Sequence, residues 1–171
     1  MIEVARARLR GSPWESRVTF EVDDAEELSG VATQSVDLAI CIGAFEHMRD
    51  KQAVLASVYR VLKCGGRFLC LSADADYVWY RTIAPLIGFA TRHLSTDSFL
   101  IRDEFVGLLD QAGFRPVQSV PWTFIPKGDM PTFAGLLLGG LAAIGQCARL
   151  TSLRGGLCVC AWKGKSDRRD A

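Results

Sequence analysis

The sequence predicts an α/β layered fold, a mostly parallel sheet with helices on both faces, and three observations carry that prediction. Apolar runs of strand length alternate with segments of helical periodicity along the chain. Residues 35–42 are apolar apart from Asp37 after the opening serine, the pattern of a strand covered on both sides. A strand, a helix and a second strand then follow without interruption from Val36 to Ser72, and parallel neighbours need such a crossover because a tight turn cannot join them. With 171 residues, 49% hydrophobic and 23% charged, the chain is long enough for one core and too short for a second full domain.

Each element follows from local signals. Over residues 2–10, Ile2, Ala5 and Leu9 share a helical face while Arg6, Arg8 and Arg10 turn away, and Gly11 with Ser12-Pro13 ends the helix. Residues 17–22 alternate Val18, Phe20 and Val22 with polar neighbours, which predicts a short strand running into an acidic turn from Asp23 to Leu28. Residues 35–42 form the next strand. Asp50 is the expected N-cap of a helix over residues 51–63 that buries Val54, Leu55, Val58 and Leu62 and closes at Gly65, before a strand at residues 67–72. Phe105, Val106, Leu108, Leu109 and Ala112 trace a helical stripe over residues 103–112, stopped by Gly113. Residues 117–125 and 156–162 read as the last strands. Residues 74–98 and 126–154 are less regular and rich in aromatic and aliphatic side chains. Within the second of these, residues 133–145 contain four glycines and fall short of the ~20 residues a membrane span requires. A packed or lid helix is expected there, with peripheral membrane contact left open. The organisation expected is one domain over residues 1–163 and a charged, disordered tail over 164–171.

Composition narrows the partners. The net charge is +1 and basic residues are interspersed with acidic ones, so no nucleic-acid footprint stands out and a small molecule is the expected partner. The six cysteines, at positions 41, 64, 70, 147, 158 and 160, form no CxxC pair, which supports neither a zinc site nor a redox motif. Cys41, Cys70, Cys158 and Cys160 sit in apolar runs as small hydrophobes, which together with an N-terminus unlike a secretory signal predicts a cytoplasmic protein.

Three segments carry a further signal: residues 18–28 (Val18 to Leu28), residues 35–40 (Ser35 to Ile40) and residues 59–67 (Tyr59 to Arg67, through Cys64-Gly65-Gly66). In their order and spacing the chain resembles the class I, Rossmann-like S-adenosylmethionine-dependent methyltransferases, in the small-molecule group akin to the menaquinone and ubiquinone biosynthesis enzymes. The likeness spans most of residues 1–114. It implies S-adenosylmethionine as cofactor, with Asp24 accepting from the adenine amine, the Ala25 N–H donating to a ring nitrogen, and Ile42 and Gly43 bordering the methionine end. Asp24 has a competing role as cap of its own turn, and Gly43 as a plain strand-to-loop turn. Gly65-Gly66 follows a helix instead of preceding one, so helix termination is expected of it rather than phosphate binding.

Glu46-His47 resembles the end of a metal-binding run found in some relatives, but Gly43 stands where the first carboxylate belongs, so no metal site is expected. His47 reads either as a general base toward a substrate hydroxyl or as a hydrogen-bonded loop histidine. Tyr77, Trp79, Tyr80, Trp122 and Phe124 suggest an apolar or aromatic acceptor, and core packing accounts for them as well. The family sheet runs 3-2-1-4-5-7-6, and its first two strands and glycine-rich turn are expected to precede Met1, so the resemblance implies a truncated domain. Residues 17–22 would then lie three strand spacings, about 14 Å, from the next strand, and would either pair with residues 35–42 or stay an unpaired edge. The function implied is methyl transfer to a small, apolar or aromatic acceptor, impaired in the truncated chain. The alternative is a non-catalytic remnant acting as a binding or interaction module. A nicotinamide-dependent dehydrogenase is disfavoured, since no G-x-G-x-x-G follows a strand.

Overall fold

The computed structural model describes residues 2–78, 81–82, 100–122, 132–150 and 153–164. Helix α1 (Ile2–Leu9) leaves Ile2, Ala5 and Leu9 half-buried, and Gly11 departs from it at φ 76°. The strand expected at residues 17–22 does not form. Glu15–Arg17 is a short 3₁₀ turn, residues 18–24 join no sheet, and Val22 is 90% exposed. Alternation alone cannot hold a strand, because its stability comes from a ladder to a neighbour, and no described strand pairs with this stretch.

The remaining elements are strand β1 (Val36–Ile42), helix α2 (Lys51–Val61), strand β2 (Leu62–Ala73), helix α3 (Arg102–Gln111), strand β3 (Phe114–Trp122), helix α4 (Thr132–Cys147) and strand β4 (Gly156–Lys163). They build a sheet of order β1-β2-β4-β3. β1 runs parallel to β2, and β4 runs antiparallel to both β2 and β3, so three of the four strands share one direction. That order matches the 4-5-7-6 part of the sheet that the resemblance implies.

Asp50 caps α2 as expected, its Oδ1 accepting from the Ala53 N–H at 2.9 Å. Asp50→Ala is expected to lower stability by about 1 kcal/mol in a chemical denaturation curve, the usual cost of losing such a cap. The helix stops earlier than predicted, at Val61, because Leu62 is already extended with ψ 137°. Gly65 and Gly66 therefore do not end the helix. Gly65 takes φ 78° inside β2, and a Cβ on Gly66 would lie 2.8 Å from the Lys63 carbonyl, so the pair forms a kink at the start of the strand. The β1–β2 register shifts beside it, between Val36 and Leu38.

The core occupies one face of the sheet, between Phe68, Cys70, Val159 and Ala161 and the inward sides of α2 and α3. Phe45 stacks on Phe105 at 4.8 Å, and Phe114 meets Tyr59 edge-on at 5.1 Å. The opposite face departs from expectation at β1. Leu38, Ile40 and Ile42 are 49%, 55% and 66% exposed, and Val120 lies in the same outward row on β3. No described helix is long and apolar enough to cross a membrane, α4 included. Trp79, Tyr80, Phe124 and the tail from residue 165 lie outside the described residues.

Candidate functional site

The acidic turn is organised by its own side chains. Asp23 accepts from the Asp24 N–H at 2.9 Å, the Ser29 hydroxyl at 3.1 Å and the Gly30 N–H at 2.8 Å. The Gly30 N–H in particular holds the Asp23 carboxyl below its ordinary value, by favouring the charged acceptor. Asp24 follows with one side-chain oxygen accepting from the Glu26 N–H at 2.9 Å and its carbonyl accepting from Glu27 and Leu28. The capping role is thus filled by Oδ1 alone. Oδ2 has no partner among the described residues, and Asp24 is exposed beside half-buried Ala25.

The turn is fastened to α2. Ser57 donates to the Glu26 carbonyl at 2.7 Å, and Arg60 donates to the carbonyls of Glu27, Leu28 and Val31 and to the Thr33 hydroxyl. At its other side, Glu26 Oε1 accepts from the Asp50 N–H at 3.1 Å. Asp50 ends the loop that Gly43 begins, so the acidic turn and the Ile42-Gly43 corner border the same stretch of chain. Gly43 sits at the carboxyl end of β1 with φ 57°, its N–H donating to the Leu71 carbonyl at 2.9 Å. Beyond its own chain neighbours, no atom of the described residues lies within 4 Å of the position a Cβ would take there, so the corner is open on that side. Carboxyl ends of parallel strands are where open α/β sheets receive ligands.

Beyond the corner, Phe45–His47 forms a 3₁₀ turn with Phe45 in the core, His47 exposed and Glu46 buried with no hydrogen-bond partner for Oε2 among the described residues. No three His, Cys, Asp or Glu side chains among the described residues are grouped to hold a metal ion. Asp74, at the end of β2, was not singled out from the sequence. It is buried, burial pushes its carboxyl up, and its Oδ1 accepts from the Asp76 N–H at 3.0 Å. Its only sequence signal is an acid placed directly after the apolar run that ends at Ala73. Tyr77, read as a candidate acceptor contact, is instead buried, and burial raises its hydroxyl. Trp122 is half-buried with its indole against Gly156, where a Cβ would collide with the ring. A separate open groove of about 390 Å³ lies between α1 and residues 15–20, lined by Arg6, Arg10, Val18 and Phe20 among others, and contains none of the candidate residues.

A family model described as a methyltransferase domain matches residues 1–70. The demethylmenaquinone methyltransferase of Symbiobacterium thermophilum is 28% identical over 137 residues, 67% of this chain and 54% of that protein. The ubiquinone/menaquinone biosynthesis C-methyltransferase of Syntrophotalea carbinolica is 32% identical over 62% of this chain and 52% of its own length. This chain spans about half the length of the curated relatives it matches. Among solved structures, an S-adenosylmethionine-dependent methyltransferase of Thermotoga maritima superposes with a TM-score of 0.67 at 18% identity, covering 95% of this chain and 69% of that one.

Proposed function

We propose that this chain is a class I, Rossmann-like S-adenosylmethionine-dependent methyltransferase resembling the menaquinone and ubiquinone biosynthesis enzymes, and that Asp24, Ala25, Ile42 and Gly43 border its methyl-donor cofactor. The observation that carries the reading is the bond between Glu26 and Asp50, which ties the acidic turn to the far end of the loop that Gly43 begins. The chemistry of the residues fits the group. Asp24 Oδ2 is an available acceptor for the adenine amine, the Ala25 N–H is the matching donor to a ring nitrogen, and the open space at Gly43 admits the methionine end against the backbone. The sulfonium of the bound cofactor supplies both the methyl group and its leaving group. The protein's own contribution is to hold the acceptor in line and exclude water. His47, exposed on the turn after this corner, is the candidate base for an acceptor hydroxyl. The acceptor is a small, apolar or aromatic molecule, as the quinone-pathway names of the relatives suggest.

The 171-residue chain by itself is expected to bind weakly. Two or three exposed polar contacts at roughly 0.5–1.5 kcal/mol each reach at most about the 4 kcal/mol of a millimolar ligand and fall well short of the ~8 kcal/mol of a micromolar one, so transfer by this chain alone is impaired. Titrating S-adenosylhomocysteine into isotope-labelled chain is expected to shift the amides of Ala25, Glu26 and Gly43 only at millimolar concentration. Low-micromolar affinity would overturn the weakness. Shifts confined to the α1 groove would overturn the site.

A second reading, a non-catalytic interaction module, is favoured by one observation, the exposed apolar row Leu38, Ile40, Ile42 and Val120. Under that reading the same titration leaves the Ala25 and Gly43 amides unmoved at every concentration.

A further inference from the structure

Cys41 and Cys70, which the sequence treats as two unrelated apolar positions, are directly opposite each other in the parallel β1–β2 ladder. Partners in register point to the same face of a sheet, here the core face. Their Cα atoms are separated by one strand spacing, about 4.8 Å, inside the roughly 4.4–6.8 Å that a disulfide spans. Each thiol is near enough to perturb the ionisation of the other. Both are free thiols, Cys41 half-buried and Cys70 buried, whereas Cys64 and Cys147 are exposed.

Exposure divides the two roles. Cys41 is half-buried and so is the sulfur a small oxidant reaches first, whereas Cys70 is fully buried behind it. The Cys41 side chain beside it and burial push the Cys70 thiol up, which keeps it protonated. The reachable sulfur is the attacking cysteine and its buried neighbour is placed to resolve it.

We propose that Cys41 and Cys70 form a peroxide-reactive thiol pair that closes to an intramolecular disulfide across β1 and β2. The Cys41 thiolate attacks one oxygen of hydrogen peroxide, breaking the O–O bond and leaving a sulfenic acid and hydroxide, which takes a proton to become water. Cys70 sulfur then attacks the Cys41 sulfur, its proton leaves with the expelled hydroxyl as a second water, and the S–S bond forms. Two thiols have lost two electrons and two protons, and one peroxide has become two waters. The pair is independent of the methyl-transfer reading, although its reactive member directly precedes Ile42-Gly43.

The decisive measurement uses the unmodified chain. Fully reduced protein is exposed to hydrogen peroxide, quenched with an alkylating reagent, digested without reductant and read by mass spectrometry. The expected result is loss of Cys41 and Cys70 from the reduced pool in equal amounts, with a linked peptide pair joining them, ahead of oxidation at Cys64 and Cys147. A linked pair that omits either cysteine, or a Cys41 that stays alkylatable while Cys64 oxidises, overturns the proposal. In Cys70→Ser, shown to be folded by circular dichroism, Cys41 is expected to advance to sulfinic acid for want of a resolving thiol. If it stays reduced, Cys41 is not the attacking sulfur.

Discussion

Replacing Arg60 with methionine is expected to release residues 24–33 from α2 while the sheet stays folded, at a cost of roughly 2–3 kcal/mol after allowance for partial exposure. The guanidinium spans four acceptors: Nη1 reaches the Val31 carbonyl at 3.1 Å and the Thr33 hydroxyl at 3.2 Å, and Nη2 reaches the carbonyls of Glu27 at 2.9 Å and Leu28 at 2.8 Å. No other described side chain holds so much of this segment. A planar fork can serve that many directions at once, whereas a lysine ammonium on a flexible stem cannot, so Arg60→Lys is expected to recover less than half of the loss. Hydrogen exchange supplies the readout, because the Leu28 and Val31 N–H groups are bonded within the turn, to Asp24 and Leu28. Both should exchange markedly faster in Arg60→Met, and the cofactor-induced shift at Ala25 should vanish with them. Unchanged protection at those two amides would mean that the turn holds itself, and the link from α2 to the acidic segment would lose its functional meaning.

That dependence marks where the sequence stops being legible. Helical periodicity and capping residues are local, so α2 with its Asp50 cap, α3 with Gly113 behind it, and the strand-helix-strand order could be read directly. Glycine at 65 carries an ambiguous signal, since a residue needing positive φ closes a helix or kinks a strand equally well, and only the early extension of Leu62 decides. Residues 17–22 have a strand's alternation and no partner among the described strands, and alternation does not report whether a neighbour is there to pair with. The candidate site divides in the same way. Asp23 and Asp24 were visible as an acidic run, but not that one locks the loop and the other keeps an oxygen available. The facing of Cys41 and Cys70 depends on register, which 28 intervening residues conceal.

The last long-range feature is also the one with the other large expected effect. Lys163, the final residue of β4, is buried, and its Nζ donates to the Tyr59 carbonyl at 2.7 Å and the Leu62 carbonyl at 2.8 Å. The ammonium also lies 4.6 Å from the centre of the Tyr59 ring, which meets Phe114 edge-on. Carbonyls at a helix C-terminus lack intrahelical donors and concentrate the negative end of its dipole, so a buried cation there satisfies both needs. Lys163→Met keeps most of the apolar stem and removes every donor. The expected loss is about 3 kcal/mol, from two charge-assisted bonds less the desolvation that the ammonium no longer suffers, or roughly 6–12 °C in melting temperature for a domain of this size. Lys63 provides the internal comparison. Its Nζ is just as close to a partner, 2.8 Å from Asp37, yet the two side chains are 46% and 82% exposed. Water competes for both charges there, and Lys63→Met is expected to cost less than about 1 kcal/mol. Raising the salt concentration should shrink the Lys63 effect and leave the Lys163 effect in place, because ions screen exposed charges and reach buried ones poorly. Equal losses for the two variants, or equal salt sensitivity, would show that β4 does not fasten α2 to the sheet through this ammonium.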